Sequence, residues 1–215
     1  MKRNESIHQN LGGLYGILDL RPETGPGLVE LAERLLAGGT RVLQLRAKAS
    51  SARETLDAAR KLRSRTADAG ALFIVNDRVD IALAAEADGV HLGQSDLPPA
   101  RVREIAPASL LIGLSTHDPS QVAAAGTLDV DYIGFGPIFP TATKADAEAA
   151  QGIATLATIT ASTRLPVVAI GGLEECHAPE LAAAGATAMA MIGAIERSAD
   201  PAALAQRIGG EFTRS

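Results

Sequence analysis

Two aspartates, Asp77 and Asp96, each follow a short apolar run. The runs are Phe73–Val75 and Gly89–Leu92, and a helical pattern of Val79, Ile81, Leu83, Ala84 and Ala85 lies between them. Two strands joined by one helix run parallel, so their C-terminal ends share one edge of the sheet. The aspartates then stand on neighbouring strands about 4.8 Å apart. Two carboxylates so placed repel, share a proton or bind a cation. Magnesium is one such cation, held by one or two carboxylates with substrate phosphates and waters. Asp77 and Asp96 equally suit caps for the helices that follow them, the second near Pro98. Spacing leaves both readings open.

Positive charge gathers at other strand ends. Arg46 and Lys48 follow an apolar run, and alternation points Gln44 and Arg46 to one face. Lys144 closes a hydroxyl-bearing loop, residues 136–144. Each cation taken singly reads equally as a solvated surface charge. Together with two carboxylates they suit a magnesium-bound diphosphate. Gly171-Gly172 and Gly193 end two further apolar runs and permit close approach of backbone N–H groups to an anion. Tight turns alone would also use glycines there. His91 sits within an apolar run and reads as a packed histidine. His117 follows Ser115-Thr116 with no acid to orient it, and no Gly-x-Ser-x-Gly elbow is present.

These residues need a scaffold that brings strand ends together. Eight strand–helix units can be laid along the chain. The predicted strands are Leu14–Asp19, Arg41–Leu45, Leu72–Val75, Asp88–Leu92, Leu110–Leu114, Asp131–Gly134, Pro166–Ile170 and Thr187–Met191, each followed by a helical pattern. Eight such units in about 200 residues predict a single-domain α/β fold, the closed (β/α)₈ TIM barrel. The rival is an open doubly wound sheet, but no Gly-x-Gly-x-x-Gly follows the first strand. Residues 1–12 read as a flexible tail and 13–215 as the barrel. In such barrels the active site lies at the C-terminal strand ends, with phosphate commonly held after strands seven and eight.

Composition narrows the function. With 25 acidic and 20 basic residues the net charge is −5, against a sequence-independent nucleic-acid binder. Aromatics are 3%, too few for a base-stacking platform. The single Cys176 permits no internal disulfide. No apolar run approaches the roughly 20 residues of a membrane helix, and the first ten residues do not form a signal peptide. The expected location is the cytoplasm.

Six ordered motifs carry a family likeness: QLRAK at 44–48, NDRVDIAL at 76–83, GVHLGQSDLP at 89–98, GLSTH at 113–117, YIGFGPIFPTATK at 132–144 and VVAIGG at 167–172. On them the chain resembles the thiamine-phosphate synthase (thiamin phosphate pyrophosphorylase) family from Leu14 to Pro201. The resemblance implies a TIM-barrel transferase that joins a hydroxymethylpyrimidine diphosphate to a thiazole phosphate. Diphosphate leaves first, and the thiazole nitrogen captures the resulting carbocation. It implies Mg²⁺ on Asp77 and Asp96. Gln44, Leu45, Arg46, Ala47, Lys48, Asn76 and Ser115 would face the pyrimidine diphosphate. Thr141, Ala142 and Thr143 would contact the thiazole phosphate, and Lys144 the diphosphate. Gly172, Ile192 and Gly193 would cradle the thiazole's phosphate. Arg46, Lys48, Ser115 and Lys144 would carry the catalysis. A homo-oligomer stays open, with neither nucleic acid nor membrane as partner.

The chain departs from the pattern at its opening LYGILDLRPETG, where relatives end the strand closer to a VTD pattern, and in the alanine-rich segment 145–150. A thiazole tautomerase would not need both aspartates and QLRAK. A sugar-phosphate epimerase would need an acid/base pair across a carbon. A non-catalytic regulator binding a phosphorylated ligand differs in turnover rather than in sequence.

Overall fold

The computed structural model describes residues 7, 10–21, 27–140 and 149–213. Eight parallel strands close into a barrel in sequence order. They are β1 (Gly13–Asp19), β2 (Val42–Arg46), β3 (Leu72–Asn76), β4 (Gly89–Leu92), β5 (Leu111–Thr116), β6 (Tyr132–Phe135), β7 (Val167–Ala169) and β8 (Ala188–Met191). The helices are α1 (Leu28–Ala37), α2 (Ala52–Asp68), α3 (Val79–Ala84), α4 (Pro99–Ile105), α5 (Pro119–Ala125), α6 (Gly152–Ser162), α7 (Ala178–Ala183), α8 (Gly193–Arg197) and α9 (Pro201–Phe212). This is the (β/α)₈ architecture that the eight-unit pattern predicts.

The strands are apolar on both faces because both are covered. Leu43, Leu45, Phe73, Val75, Val90, Leu92, Ile112, Leu114, Ile133 and Phe135 pack outward with the helices. The alternate residues, Tyr15, Val42, Leu72, Ile74, Leu111, Tyr132 and Val168, fill the barrel interior. In β8 the alanines 188 and 190 face inward and Met189 and Met191 face the helices. Helix starts follow their local chemistry. Ser51 and Glu54 form a capping box on α2. Asp118 Oδ1 accepts from the backbone N–H groups of Ser120 and Gln121 at 2.7 and 2.9 Å to open α5.

The structure differs from the pattern in three places. Within the stretch expected to be a loose tail, Ile7 and Leu11 are buried, packed with Tyr15 and Val42 inside the barrel. Two apolar side chains in a polar segment suffice for that, and polarity alone hides them. The helical pattern expected directly after the seventh strand opens as a 3₁₀ turn, Glu175–His177, before α7. The short α8 directly follows β8, as only five residues of helix can leave little periodic signal.

Candidate active site

The interior alternation sets the site. From Val42 and Ile74 it runs on to Gln44, Arg46 and Asn76, and from Leu111 to Ser115, so these side chains continue the interior rows toward the C-terminal mouth. Gln44 and Ser115 are buried, and Arg46 and Asn76 are half-buried. Leu45 and Ala47 fall on the other parity and pack toward the helices, so only their backbones are available to a ligand at the mouth.

Asp77 and Asp96 converge on that mouth. β3 and β4 are hydrogen-bonded neighbours with Asn76 opposite His91. Asp77 takes a left-handed backbone conformation, φ 61°, and its N–H donates to His91 O at 2.8 Å. Its carboxyl titrates above the ordinary range, because burial disfavours the charged form and the Asp96 carboxyl adds repulsion, while the Lys48 ammonium opposes both. Asp96 Oδ2 accepts the Gly93 N–H at 2.6 Å. Neither aspartate caps a helix: α3 and α4 start after Arg78 and Pro98 without a side-chain cap bond. Capping therefore does not account for the pair. Lys48 Nζ donates to Asp77 Oδ2.

The two carboxylates suit magnesium. They supply hard oxygen ligands, and their mutual repulsion favours a cation between them. Among the described residues no cluster of three or more His, Cys, Asp or Glu side chains forms, so an ion held here would need oxygens from a ligand and from water as well.

Arg46 is held from behind. Its Nη1 donates to Asp19 Oδ1 at 2.8 Å, and Arg21 Nε lies 3.6 Å from the other Asp19 oxygen. Arg21 also pairs with Glu196 of α8. This ties the ends of β1 and β2 to the helix after β8.

The end of the mouth beyond β7 and β8 is built largely from backbone. Gly171 and Gly172 have φ of 87° and 68°, and an added Cβ at Gly172 would lie 2.6 Å from Pro140 O. The loop after β6 lies directly on them: Ile138 N donates to Ile170 O at 2.9 Å and Phe139 N to Gly171 O at 3.1 Å. These glycines thus have a packing reason besides any anion. Ile192 stands at the start of α8 and Gly193 is its first residue. The Arg197 guanidinium lies over Gly193, its Nη1 2.8 Å from where a Cβ would stand. Thr141, Ala142, Thr143 and Lys144 lie outside the described residues.

Other candidates settle as structure. His117 Nδ1 is 2.6 Å from Gly136 O, so the ring N–H donates to backbone. His91 is buried, as a packed histidine should be, but both ring nitrogens have partners: Tyr132 at 3.1 Å and Ser115 at 2.9 Å. Asp19, Tyr15, Tyr132 and Arg197 were not singled out by pattern. Asp19 could have been, since it ends an apolar run as Asn76-Asp77 does.

A barrel with paired carboxylates, tethered cations and a glycine-lined end at one mouth is of the class that handles phosphorylated small molecules. The thiamine monophosphate synthase family model matches residues 14–195. A thiamine-phosphate synthase from Laribacter hongkongensis is 47% identical over 182 residues, 85% of this chain and 86% of the relative. One from Moorella thermoacetica is 41% identical over 202 residues, 94% and 96% of the two chains. A thiamine phosphate pyrophosphorylase structure from Pyrococcus furiosus superposes with a TM-score of 0.86 at 36% identity, covering 97% of this chain and 98% of that one. The chain belongs to the thiamine monophosphate synthase family.

Proposed function

We propose that the protein makes thiamine phosphate from a hydroxymethylpyrimidine diphosphate and a thiazole phosphate, releasing diphosphate. Its family and the four-in-ten or better identity to thiamine-phosphate synthases support this. The observation that carries it is the meeting of Asp77, Asp96 and Lys48 at the mouth where Arg46 is tethered.

Asp77 and Asp96 are the residues that would hold Mg²⁺, which when bound neutralises charge on the diphosphate. The rest follows from the chain's own side chains. Arg46, oriented by Asp19, offers its free N–H groups to the leaving diphosphate. Lys48 exchanges Asp77 for a phosphate oxygen, and Lys144 adds charge from the loop after β6. The carbon–oxygen bond breaks with both electrons going to diphosphate, leaving a pyrimidine-stabilised cation. The thiazole nitrogen's lone pair closes the new carbon–nitrogen bond. Gln44, Asn76 and Ser115 orient the pyrimidine; Gly172, Ile192 and Gly193 receive the thiazole's phosphate through backbone N–H groups. Little proton transfer is needed, so charge stabilisation and positioning do the catalysis. One exposed, free cysteine suits a reducing, cytoplasmic setting.

The test is a two-substrate assay for thiamine phosphate and diphosphate, with a parallel tube lacking magnesium. Turnover only with magnesium is expected. Tight binding of the phosphorylated ligands by folded protein without turnover would make the chain a regulator.

A further inference from the structure

A line of buried side chains crosses the barrel between two residues assigned to the pyrimidine side. Gln44 Nε2 donates to the Tyr15 hydroxyl at 2.9 Å. The Tyr15 and Tyr132 hydroxyls are 2.8 Å apart. The Tyr132 hydroxyl lies 3.1 Å from His91 Nδ1, and His91 Nε2 lies 2.9 Å from Ser115 Oγ. All five residues are buried, and they come from five strands, β2, β1, β6, β4 and β5. Both tyrosines of the chain stand in this line. Gly113 makes room for it: a Cβ there would lie 2.2 Å from Tyr132 Cζ and 2.4 Å from His91 Nδ1.

Its polarity follows from the one member that can only donate, the Gln44 amide NH₂. The Tyr15 hydroxyl accepts from it and has one proton of its own. If Tyr132 donated to Tyr15, that proton would be buried with no acceptor among the described residues. Tyr15 therefore donates to Tyr132, and Tyr132 donates to His91 Nδ1. The neutral ring then carries its hydrogen on Nε2 and donates it to Ser115 Oγ. Ser115's carbonyl is occupied by Gln94 Nε2 at 2.6 Å. The Ser115 hydroxyl is left with its own proton, which needs an acceptor, and one lone pair.

We propose that Gln44, Tyr15, Tyr132 and His91 form a one-way relay of positioning residues that commits the Ser115 hydroxyl to donate to an acceptor atom of the pyrimidine diphosphate. The relay rests on the substrate reading above only for the identity of that ligand. A serine free to rotate would serve acceptor and donor atoms alike; one that already accepts from His91 keeps a proton that is left unsatisfied unless the ligand presents an acceptor. The selection originates at Gln44, three strands away from Ser115.

The relay is tested first in the free protein. With ¹⁵N-labelled histidine, two-bond nitrogen–proton correlations report each ring's tautomer, and the His91→Gln spectrum assigns the His91 signals. The expected form at neutral pH is the Nε2–H tautomer. An Nδ1–H tautomer, or a ring protonated on both nitrogens, overturns the relay, whatever the enzyme's activity. Tyr15→Phe then cuts the line while leaving Ser115 in place; because it also releases the Gln44 amide, the His91 tautomer, which Gln44 does not contact, is the readout that separates the relay from a local effect on Gln44. The substitution is expected to mix the His91 tautomers and raise KM for the pyrimidine diphosphate roughly tenfold, with KM for the thiazole phosphate unchanged. A folded Tyr15→Phe protein with the His91 tautomer and both KM values unchanged overturns the relay. Wild-type protein with the Nε2–H form but no thiamine phosphate production overturns the activity, and with it the ligand assigned to Ser115, while leaving the relay's polarity supported.

Discussion

Asp19 and Arg46 are register partners at the last positions of β1 and β2, joined by an Nη1–Oδ1 hydrogen bond of 2.8 Å. Strand pairing fixes the two backbones, and the buried carboxylate fixes the direction of the guanidinium. An untethered arginine must give up about 2 kcal/mol of rotamer entropy when it orders on a ligand. Here much of that loss has occurred before a diphosphate arrives, and the N–H groups not turned to Asp19 stay available.

Asp19→Asn tests this with little change in volume. It removes the charge that aligns Arg46 and Arg21 together. The expected result is a fall in kcat/KM for the pyrimidine diphosphate on the order of a hundredfold, as for misplacement of a charge-stabilising arm. A double-mutant cycle with Arg46→Ala identifies the route: if Asp19 acts through Arg46, the two losses are strongly non-additive. Additive losses would assign Asp19 a separate role.

Lys48 sits on the carboxylate assigned to the metal, and this gives a prediction with two opposite signs. A cation reaching Asp77 competes with the Lys48 ammonium on its Oδ2. Lys48→Met should therefore tighten Mg²⁺ binding to the substrate-free protein several-fold, measured by titration calorimetry, yet slow turnover because the diphosphate loses a cation. Asp77→Asn is the matched variant. Asparagine tolerates the left-handed backbone at this position, so the change is electrostatic rather than conformational. It should weaken Mg²⁺ binding and lower kcat by roughly 10²–10³-fold. Equal Mg²⁺ affinity in all three proteins would remove the metal from Asp77.

The strands were legible because each carries one apolar row for the barrel interior and one for the helices, as Val42/Gln44/Arg46 against Leu43/Leu45 shows. The same alternation put Gln44 and Arg46 on one face, whereas Ser115 was legible from its place at a strand end and from the GLSTH motif. What pattern could not give is contact across the barrel. Tyr15 and Tyr132 are 117 positions apart, and nothing local to either announces the other. His91 read correctly as buried, but its two hydrogen-bond partners come from strands that only closure brings together. Ile7 and Leu11 were hidden by their polar neighbours, since two isolated apolar residues have no period.

Ile138 and Phe139, after β6, bond to Ile170 and Gly171 just beyond β7, and Lys144 follows them in the sequence outside the described residues. Lys144→Ala should lower kcat while KM for the thiazole phosphate stays within about twofold, since a charge acting only as diphosphate departs stabilises the transition state. The loss is expected at 10²-fold or so, the scale of removing one such donor. Rapid-quench measurement of a single turnover places the loss in bond breaking. A rise in thiazole phosphate KM with kcat unchanged would put Lys144 on the other substrate.

Gly113 is where fold and site compete for the same space. Its Cα faces the gap that Tyr132 and His91 fill, and a methyl there would stand 2.2 Å from Tyr132 Cζ. Neither ring has room to retreat: Tyr132 is fully buried, and its hydroxyl is held between Tyr15 and His91. Gly113→Ala must move β5 or push Tyr132 away. Overpacking of this kind costs about 1–3 kcal/mol, read as a lower urea midpoint with unchanged m-value. Because the displaced ring belongs to the line that ends at Ser115, pyrimidine diphosphate affinity should fall with stability. Gly126→Ala supplies the control: it sits at the end of α5, where an added Cβ would meet only Ala123 O at 3.3 Å and Val122 O at 3.8 Å, so any loss of stability there should leave KM alone.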